Sequence, residues 1–280
     1  MSSGLDDSSK GITFFQWMIL GTLTLTSTLY AMSMTIANIA LPQLQGALGA
    51  TQDQIAWTVT FNIVGTAIVT PMTGWLTLRF GQRRLMLCAI FGFATSSILC
   101  GQATALPELV IYRVFQGAFG GPLVPLSQAI ILGVFPRQLH SFATAVWGMG
   151  GVCGPIIGPT VGGYISEAYS WRWIFYIIAP FSLLAFLGAW LYVRNTTHNK
   201  LSKLDWTGFI SLSIAVTALQ LMLDRGNRLD WFDSKEILIE AAVAIICFYI
   251  FTAHILTSRN PYLNPWLLTV SYTHLRAHET

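Results

Sequence analysis

One charged side chain lies inside a long apolar run and is the strongest candidate for chemistry in this sequence. Arg113, in LVIYRVFQGAFGGP, follows Pro107 by six residues, which is roughly 9 Å of helix at about 1.5 Å per residue. A charge at that depth is costly and usually faces a cavity or a partner. Gln116 and Gly117, three and four residues on, share its helix face. We therefore expect Arg113 and Gln116 to form an intramembrane polar site, the alternative being an arginine that snorkels to the membrane surface.

A second motif, GVCGPIIGPTVGG, places helix breakers inside a segment without charge. Its glycines recur every four residues and would form one stripe without side chains on a helix: Gly150, Gly154, Gly158 and Gly162. Such a stripe lets another helix approach closely. Pro155 and Pro159 each remove a backbone donor and bend a helix. The pattern predicts a kinked helix packed tightly against a partner, with a plain packing motif as the alternative.

A third motif, GWLTLRFGQRRL, gathers basic residues where an apolar segment ends. Gly74 begins it, Gly81 permits a tight chain reversal, and Arg79, Arg83 and Arg84 crowd the turn. One interpretation is an ordinary basic loop on the cytoplasmic side of a membrane. The other is a gating loop that clamps neighbouring helix ends and must release them, and both can hold.

The sequence contains few other candidates for disulfide bonds, metal ligands or catalytic residues. The cysteines all lie in apolar segments without CxxC spacing: Cys88, Cys100, Cys153 and Cys247. This is typical of small buried residues rather than of disulfides or metal ligands. His274 and His278 have a metal-compatible spacing, but a lone pair is weak evidence, so we expect no metal and no cofactor. Because no HExxH or Gly-x-Ser-x-Gly motif is present, the sequence gives no support to a membrane-embedded enzyme.

Composition identifies the elements that position these residues. The chain has 280 residues, of which 54% are hydrophobic and 10% charged, whereas soluble domains are roughly 25% charged. Apolar runs of membrane-crossing length predict an all-α integral membrane protein with about eight spans, numbered 1 to 8 in chain order: 14–41, 55–78, 85–105, 107–135, 142–165, 174–193, 206–223 and 237–256. The net charge of +3 is small, so it suggests no nucleic-acid partner.

The distribution of Lys and Arg predicts the orientation in the lipid bilayer. One set of loops carries most of these residues, and the loop 42–54 on the other side has none. The richer set is expected on the cytoplasmic side, which places the N-terminus in the cytoplasm. The N-terminal segment lacks the basic flank of a cleaved signal, so the first apolar run is expected to be a permanent span.

An internal similarity predicts how the spans are arranged. GWLTLRFGQR after span 2 is similar to GYISEAYSWR after span 5, and units three spans apart have opposite membrane orientation. That predicts a 3+3 inverted repeat of the kind that builds many transporters, with chance matching as the alternative. The predicted organisation is an N-terminal tail (1–13), a six-span bundle (14–193), a cytoplasmic linker (194–204), two additional spans (205–258) with a periplasmic loop (224–236), the start of a further link (259–270) and a tail (271–280).

Together these motifs resemble the major facilitator superfamily. GWLTLRFGQRRL is similar to its loop signature between spans 2 and 3, and RVFQGAFGG to its span 4 arginine motif. GGVCGPIIGPTVGG is similar to its span 5 antiporter motif, in the doubled Gly-Pro form of the fourteen-span drug:proton antiporter group. TIANIALPQL and WRWIFYI resemble that group's span 1 and span 6 signatures, and LQLMLDRGNRLDWFDSKEI resembles the EmrB branch. The resemblance covers roughly residues 14–265.

The resemblance implies multidrug export of amphipathic compounds, driven by proton entry, through alternating access between two bundles. It also implies the inner membrane of a Gram-negative bacterium, a periplasmic adaptor (membrane fusion) protein and an outer-membrane channel. The polar residues that we take as candidates for lining the central cavity are Ser33, Asn38, Asn62 and Gln128.

Some positions depart from the family pattern. Ser33 stands where the family usually has an acidic residue in span 1, and a serine carries no proton at neutral pH. Leu78 replaces the usual Asp of the loop motif, Gln82 its first basic residue, and Ile178 the span 6 Asn. Glu240, about one turn inside span 8, is the acidic candidate that remains within the spans. An uncoupled or differently coupled transporter is therefore the alternative to proton antiport.

The family continues after span 8 with a second six-span bundle, and its site lies between the two halves. We therefore expect the 280-residue chain alone to be a fragment that does not transport. The closing SYTHLRAHET is polar and unlike the family. Because the family partner of the span 5 stripe belongs to the second bundle, we also expect the stripe to be exposed or mis-paired in this chain.

Overall fold

Eight helical segments in the described part of the chain are long and apolar enough to cross a membrane. A computed structural model describes residues 12–195 and 205–258. Within these residues the helices are α1 (Phe14–Ile39), α2 (Leu41–Leu48), α3 (Gln52–Phe80), α4 (Gln82–Gln102), α5 (Leu106–Gly120), α6 (Leu123–Val134), α7 (His140–Ala168), α8 (Trp173–Tyr176), α9 (Ile178–Tyr192), α10 (Trp206–Arg225) and α11 (Lys235–Thr257). The predicted all-α membrane architecture is confirmed.

The eight predicted spans correspond to these helices with small shifts at their ends. Span 1 is α1, span 2 is α3, span 3 is α4, span 4 is α5 with α6, span 5 is α7, span 6 is α8 with α9, and spans 7 and 8 are α10 and α11. Two features were not predicted. The loop after span 1 contains the short helix α2, and span 4 is interrupted by a turn at Gly121 and Pro122.

Local sequence explains where the long helices begin and end. Thr13 and Gln16 form a capping box at the start of span 1, and Thr51 and Gln54 form another at the start of span 2. Each box satisfies two backbone N–H groups that no helical carbonyl can reach. Span 2 ends at Gly81, whose φ of 84° is a conformation that other residues rarely adopt. The prediction that Gly81 permits the tight reversal is confirmed.

The described residues divide into two compact units, one within residues 1–200 and the other within 201–280. In the first unit, span 1 packs on spans 5 and 6, and span 4 packs on spans 2 and 3. An inverted repeat that exchanges spans 1, 2 and 3 with spans 4, 5 and 6 converts one set of pairs into the other. The packing therefore follows the 3+3 arrangement that the internal similarity predicted.

Two hydrophobic clusters fill the first unit and leave a polar layer between them. One cluster includes Leu20, Met86 and Ile130, and the other includes Ile36 and Ile174. Along span 3, Phe93 belongs to the first cluster and Cys100 to the second. The buried hydroxyl groups of Ser96 and Ser97 lie between those two residues. Polar side chains of spans 2, 3 and 4 meet in this layer.

The second unit is a helical hairpin formed by spans 7 and 8. Its connection contains two 3-10 turns, Gly226–Arg228 and Trp231–Asp233, within the predicted loop 224–236. At that end Arg225 contacts both Glu236 (2.5 Å) and Glu240 (2.9 Å). At the other end His254 Nε2 lies 2.8 Å from Asp205 Oδ1. Polar pairs thus join the two helices at both ends.

Several predicted segments lie wholly or largely outside the described residues. They are the N-terminal tail, the linker 194–204 (except 194 and 195), the segment 259–270 and the tail 271–280 with its two histidines.

Candidate functional site

Arg113 is fully buried among spans 2, 3 and 4 and does not reach the membrane surface as a snorkelling arginine would; its functional role stays a prediction. Its Nε donates to the backbone oxygen of Thr58 in span 2, at 3.0 Å. Its Nη1 donates to Gln116 Oε1 at 2.6 Å. The predicted pairing of Arg113 with Gln116 on one helix face is confirmed.

The polar layer extends from Gln116 into spans 3 and 6. Gln116 Nε2 donates to Ser97 Oγ at 3.0 Å, and Ser97 Oγ donates to the Phe175 backbone oxygen at 3.1 Å. The guanidinium carbon of Arg113 lies 5.9 Å from the centre of the Phe175 ring, within cation–π range. One arginine therefore links four spans of the bundle.

Two buried polar atoms of this layer have no hydrogen-bond partner in the described structure, Arg113 Nη2 and Asn62 Oδ1. The guanidinium donates to a carbonyl and an amide oxygen, and to no carboxylate of the described residues. A buried cation without a paired anion is expensive. The site can therefore stabilise negative charge that approaches it.

Spans 2 and 4 approach so closely that glycine is required at their crossing. A Cβ on Gly117 would overlap the backbone of Asn62, and one on Gly65 would overlap the backbone of Val114. Such contacts cannot be relieved by turning a side chain. The same crossing carries three polar side chains of span 2, one per helical turn, that face backbone oxygens of span 4.

These three residues are Asn62, Thr66 and Thr70, and we call them the span 2 ladder. Asn62 Nδ2 donates to Arg113 O at 2.9 Å, and Thr66 Oγ1 donates to Gly117 O at 3.1 Å. Thr70 Oγ1 lies 2.7 Å from Thr66 O in its own helix and 3.3 Å from Gly121 O in span 4. Gly121 O lacks its usual helical donor because the residue four positions on is Pro125, which has no N–H.

The four candidates for cavity lining are not equivalent. The side chains of Asn38 and Gln128 are exposed, whereas Ser33 and Asn62 are buried to about 1% exposure. Ser33 Oγ donates to Tyr30 O within span 1 at 2.7 Å. In this conformation Ser33 and Asn62 therefore line no open space, because neighbouring helices cover them.

The glycine stripe requires a correction. We expected it to be exposed or mis-paired, but Gly150, Gly154, Gly158 and Gly162 are all buried. A Cβ on Gly154 would lie 2.7 Å from Thr28 O, and one on Gly158 would lie 2.5 Å from Thr35 Oγ1. The partner is span 1 of the same bundle, because a helix face without side chains fits the slim threonine-rich face of that span.

The tight-packing part of the span 5 prediction is confirmed. α7 runs as one helix from His140 to Ala168 with Pro155 and Pro159 inside it. Its opposite face is exposed and apolar, with Val152, Ile156 and Tyr164 each more than 60% exposed.

The basic loop joins two helix ends. Arg83, at the start of span 3, donates through Nη2 to the backbone oxygen of Trp190 at the end of span 6. Arg194, just beyond span 6, lies with its guanidinium carbon 5.1 Å from the centre of the Phe15 ring. Arg84 is exposed. The loop motif thus tethers spans 3 and 6, and its gating role stays a prediction.

Sequence reasoning missed three members of the polar layer. Thr58 contributes only a backbone oxygen, which no pattern of side chains reveals. Ser97 belongs to the run ATSS, an unusual group of small polar residues in an apolar span, and this signal was available. The ring of Phe175 reaches Arg113 only because span 6 folds against span 3. Among the described residues, no three His, Cys, Asp or Glu side chains come together as a metal site.

Comparison with known proteins places these features in a family. The family description Major Facilitator Superfamily matches residues 23–273. The "Multidrug export protein EmrB" of Haemophilus influenzae is 42% identical over 240 residues, which are 85% of this chain and 47% of that protein. The "Fatty acid resistance protein FarB" of Neisseria gonorrhoeae is 36% identical over 249 residues, 88% of this chain and 48% of that protein. The chain spans about half the length of these relatives.

Solved structures show the same fold. A peptide transporter POT in complex with sulfate matches with a TM-score of 0.64 and 16% identity, covering 86% of this chain and 53% of that one. A D-xylose-proton symporter matches with a TM-score of 0.58 and 16% identity, covering 86% of this chain and 67% of that one.

Proposed function

The chain belongs to the major facilitator superfamily, and from that premise we propose that it is the N-terminal portion of a multidrug exporter. The family is one of transporters rather than enzymes, and the chain is a multi-pass membrane protein with eight candidate spans in its described residues. The proposed cargo is amphipathic compounds, and the proposed mechanism is alternating access between this bundle and a second one.

The observation that carries the proposal is the 42% identity to a multidrug export protein over 85% of this chain. The names of the relatives refer to multidrug export and to fatty acid resistance, and such compounds combine an apolar body with a polar end. Asn38 and Gln128, whose side chains are exposed, are the polar residues that we propose face the cargo.

We propose further that export is driven by proton entry, with Arg113 as the fixed charge of the coupling site. A buried guanidinium with a free N–H attracts any anionic group that enters the polar layer. Loss of a proton from a carboxyl group nearby would create such an anion. The carboxylate itself must come from outside the Arg113 layer, because in the described residues Arg113 donates to no acidic side chain.

One observation favours a second candidate, a transporter that is uncoupled or coupled to another ion. Span 1 carries Ser33 where the family usually has an acid, and the Ser33 hydroxyl donates to Tyr30 O. Glu240, the acidic candidate within the spans, is paired with Arg225 at 2.9 Å at one end of the second unit.

The test measures transport and proton movement with the whole protein in vesicles. Addition of substrate should produce a pH change that follows export if protons are exchanged. Export without a pH change would favour the second candidate, and absence of export for all amphipathic compounds tried would overturn the proposed function.

Arg113→Met should lower export at least tenfold, because the replacement keeps most of the side-chain volume but removes the charge. The matched control is Arg137→Gln, which removes an exposed positive charge beyond the end of span 4 and should leave export unchanged. Thermal unfolding of both variants would show whether the bundle is intact, and wild-type export by a folded Arg113→Met variant would contradict the role of Arg113.

We also propose that the whole protein lies in the inner membrane of a Gram-negative bacterium, with its N-terminus in the cytoplasm, and works with a periplasmic adaptor and an outer-membrane channel. These proposals rest on the resemblance to the EmrB branch. Co-purification of the whole protein with an adaptor from the same cell, against a control membrane protein of similar abundance, would test the partnership.

A further inference from the structure

A cavity of about 390 Å³ opens between spans 2, 3 and 4, away from the Arg113 layer. Its wall is almost entirely apolar and includes Leu76, Phe80, Leu85, Cys88 and Phe119. This volume lies within the range of small-molecule sites, roughly 300–1,000 Å³. A recess of this kind accommodates a flexible hydrocarbon chain.

Among the described residues that line this cavity, Arg84 is the only charged one. It lies in the first turn of span 3, one helical turn before Cys88, and its side chain is exposed. Within the described residues Arg84 makes no ion pair or hydrogen bond, in contrast to Arg83, which donates to Trp190 O. The cavity thus combines an apolar wall with one unpaired cation.

The charges of the first unit favour an anion at this end. Its described basic residues at the same helix ends are Arg79, Arg83, Arg84, Arg137 and Arg194. The described acidic residues of this unit lie at the opposite helix ends: Asp53, Glu108 and Glu167. An anionic group beside Arg84 therefore meets attraction from several arginines, while the described carboxylates of this unit lie at the opposite helix ends.

We propose that this cavity binds an anionic phospholipid, with one acyl chain in the apolar recess and the phosphate beside Arg84. The chemistry of a phospholipid matches both parts, since hydrocarbon fills the wall formed by spans 2, 3 and 4 and a phosphate accepts from a guanidinium. Basic groups at a membrane surface attract anionic lipids in general, but the recess adds a defined place for one chain. The proposal does not depend on transport or on its coupling.

Cys88 supplies the test, because it lines the cavity and is exposed. The full chain in detergent receives either phosphatidylglycerol or phosphatidylcholine, and the rate of maleimide modification at Cys88 is followed by mass spectrometry. Phosphatidylglycerol should slow modification of Cys88 several-fold more than phosphatidylcholine does. Cys153, which is exposed on span 5 and does not line the cavity, should react at an unchanged rate.

Two variants distinguish binding of the lipid headgroup at Arg84 from general attraction to the positive charge at this end of the bundle. Arg84→Gln should abolish the preference for phosphatidylglycerol, while Arg137→Gln, which removes a positive charge at the same end but outside the cavity, should keep it. Ala118→Leu places a larger side chain into the cavity. It should reduce the protection of Cys88 by the lipid, while the rate of Cys88 modification without lipid should stay unchanged. Those unprotected rates also report whether each variant is folded.

Four outcomes would overturn the proposal. Equal protection by both lipids would show that the phosphate is not selected, and an equal loss in the Arg137→Gln variant would show only diffuse attraction. Protection by glycerol phosphate alone would identify a free phosphate as the ligand. Protection of Cys88 by an exported drug, with none by phosphatidylglycerol, would assign the cavity to the cargo. The vesicle test of export can succeed or fail whichever of these results is obtained.

Discussion

Two helix crossings occupy equivalent places in the inverted repeat but are held together differently. Spans 1 and 5 meet through the glycine stripe, and spans 2 and 4 meet through Gly65 and Gly117. In the first crossing, the hydroxyls of Thr28 and Thr35 donate to carbonyls of their own helix. In the second, the span 2 ladder donates to the carbonyls of the other helix.

The difference shows that two helices of a membrane protein can pack closely with or without several hydrogen bonds between them. Glycine faces allow close packing at both crossings, but interhelical hydrogen bonds concentrate where the buried arginine lies. Across spans 1 and 5, Trp147 Nε1 donates to Ser27 Oγ at 2.7 Å, and no other side-chain hydrogen bond between these two spans occurs in their described residues. The crossing of spans 2 and 4 should therefore resist separation more strongly.

The largest effect is expected when a side chain is forced into the crossing of spans 2 and 4. Gly117→Ala should destabilise the bundle by about 3 kcal/mol or more, since its Cβ meets the Asn62 backbone and helices must move apart. Thermal unfolding in detergent measures the change. Gly74→Ala in span 2 is the control, because its Cβ would meet nothing within 4 Å; similar melting of both variants would refute the close crossing.

A smaller effect is expected at the crossing of spans 1 and 5. Gly154→Ala should cost about 1–3 kcal/mol, because its Cβ would lie 2.7 Å from Thr28 O and 2.9 Å from Met32 N. Gly151→Ala, on the same helix, meets nothing within 4 Å and should stabilise by up to about 1 kcal/mol through helix propensity. The two variants should therefore shift the midpoint of unfolding in opposite directions, and a shift in the same direction would exclude span 1 as the partner of the stripe.

These crossings also show how far sequence reasoning extends. The four-residue spacing of Gly150 to Gly162 predicted a face for close contact, and that face exists. The partner was wrong because spacing describes one helix surface and says nothing about which of several complementary surfaces meets it. The threonine-rich face of span 1, with Thr24, Thr28 and Thr35, was visible in the sequence, but only the fold places it opposite the stripe.

The polar layer around Arg113 also has some features that the sequence predicted and others that it did not. Burial of Arg113 and its pairing with Gln116 follow from the cost of charge in an apolar span and from helix geometry. The Thr58 carbonyl and the Phe175 ring depend on tertiary packing, which no local pattern encodes. The break of span 4 at Gly121 and Pro122 was also missed, because Pro is often tolerated within membrane helices, as Pro71 is within span 2.

The smallest predicted effect isolates the hydrogen bonds themselves. Thr66→Val keeps the shape of the side chain but removes the donor to Gly117 O and the acceptor of the Tyr30 hydroxyl, which lies 3.3 Å away. Interhelical hydrogen bonds in membranes average about 0.6 kcal/mol, so we expect a loss of about 1 kcal/mol. Thr28→Val removes only a bond within span 1, whose acceptor Thr24 O still has its helical N–H, and should change stability by less than about 0.5 kcal/mol.

Equilibrium unfolding of the two valine variants side by side distinguishes the crossings even where the overall shifts are small. A larger loss for Thr66→Val than for Thr28→Val is required if threonine hydroxyls bond across spans 2 and 4 but the Thr28 hydroxyl bonds only within its own helix. Equal losses would mean that both threonines act through packing alone. In that case Gly65 and Gly117 would account for the strength of the second crossing, and the span 2 ladder would serve to hold Arg113 in place rather than to bind the helices.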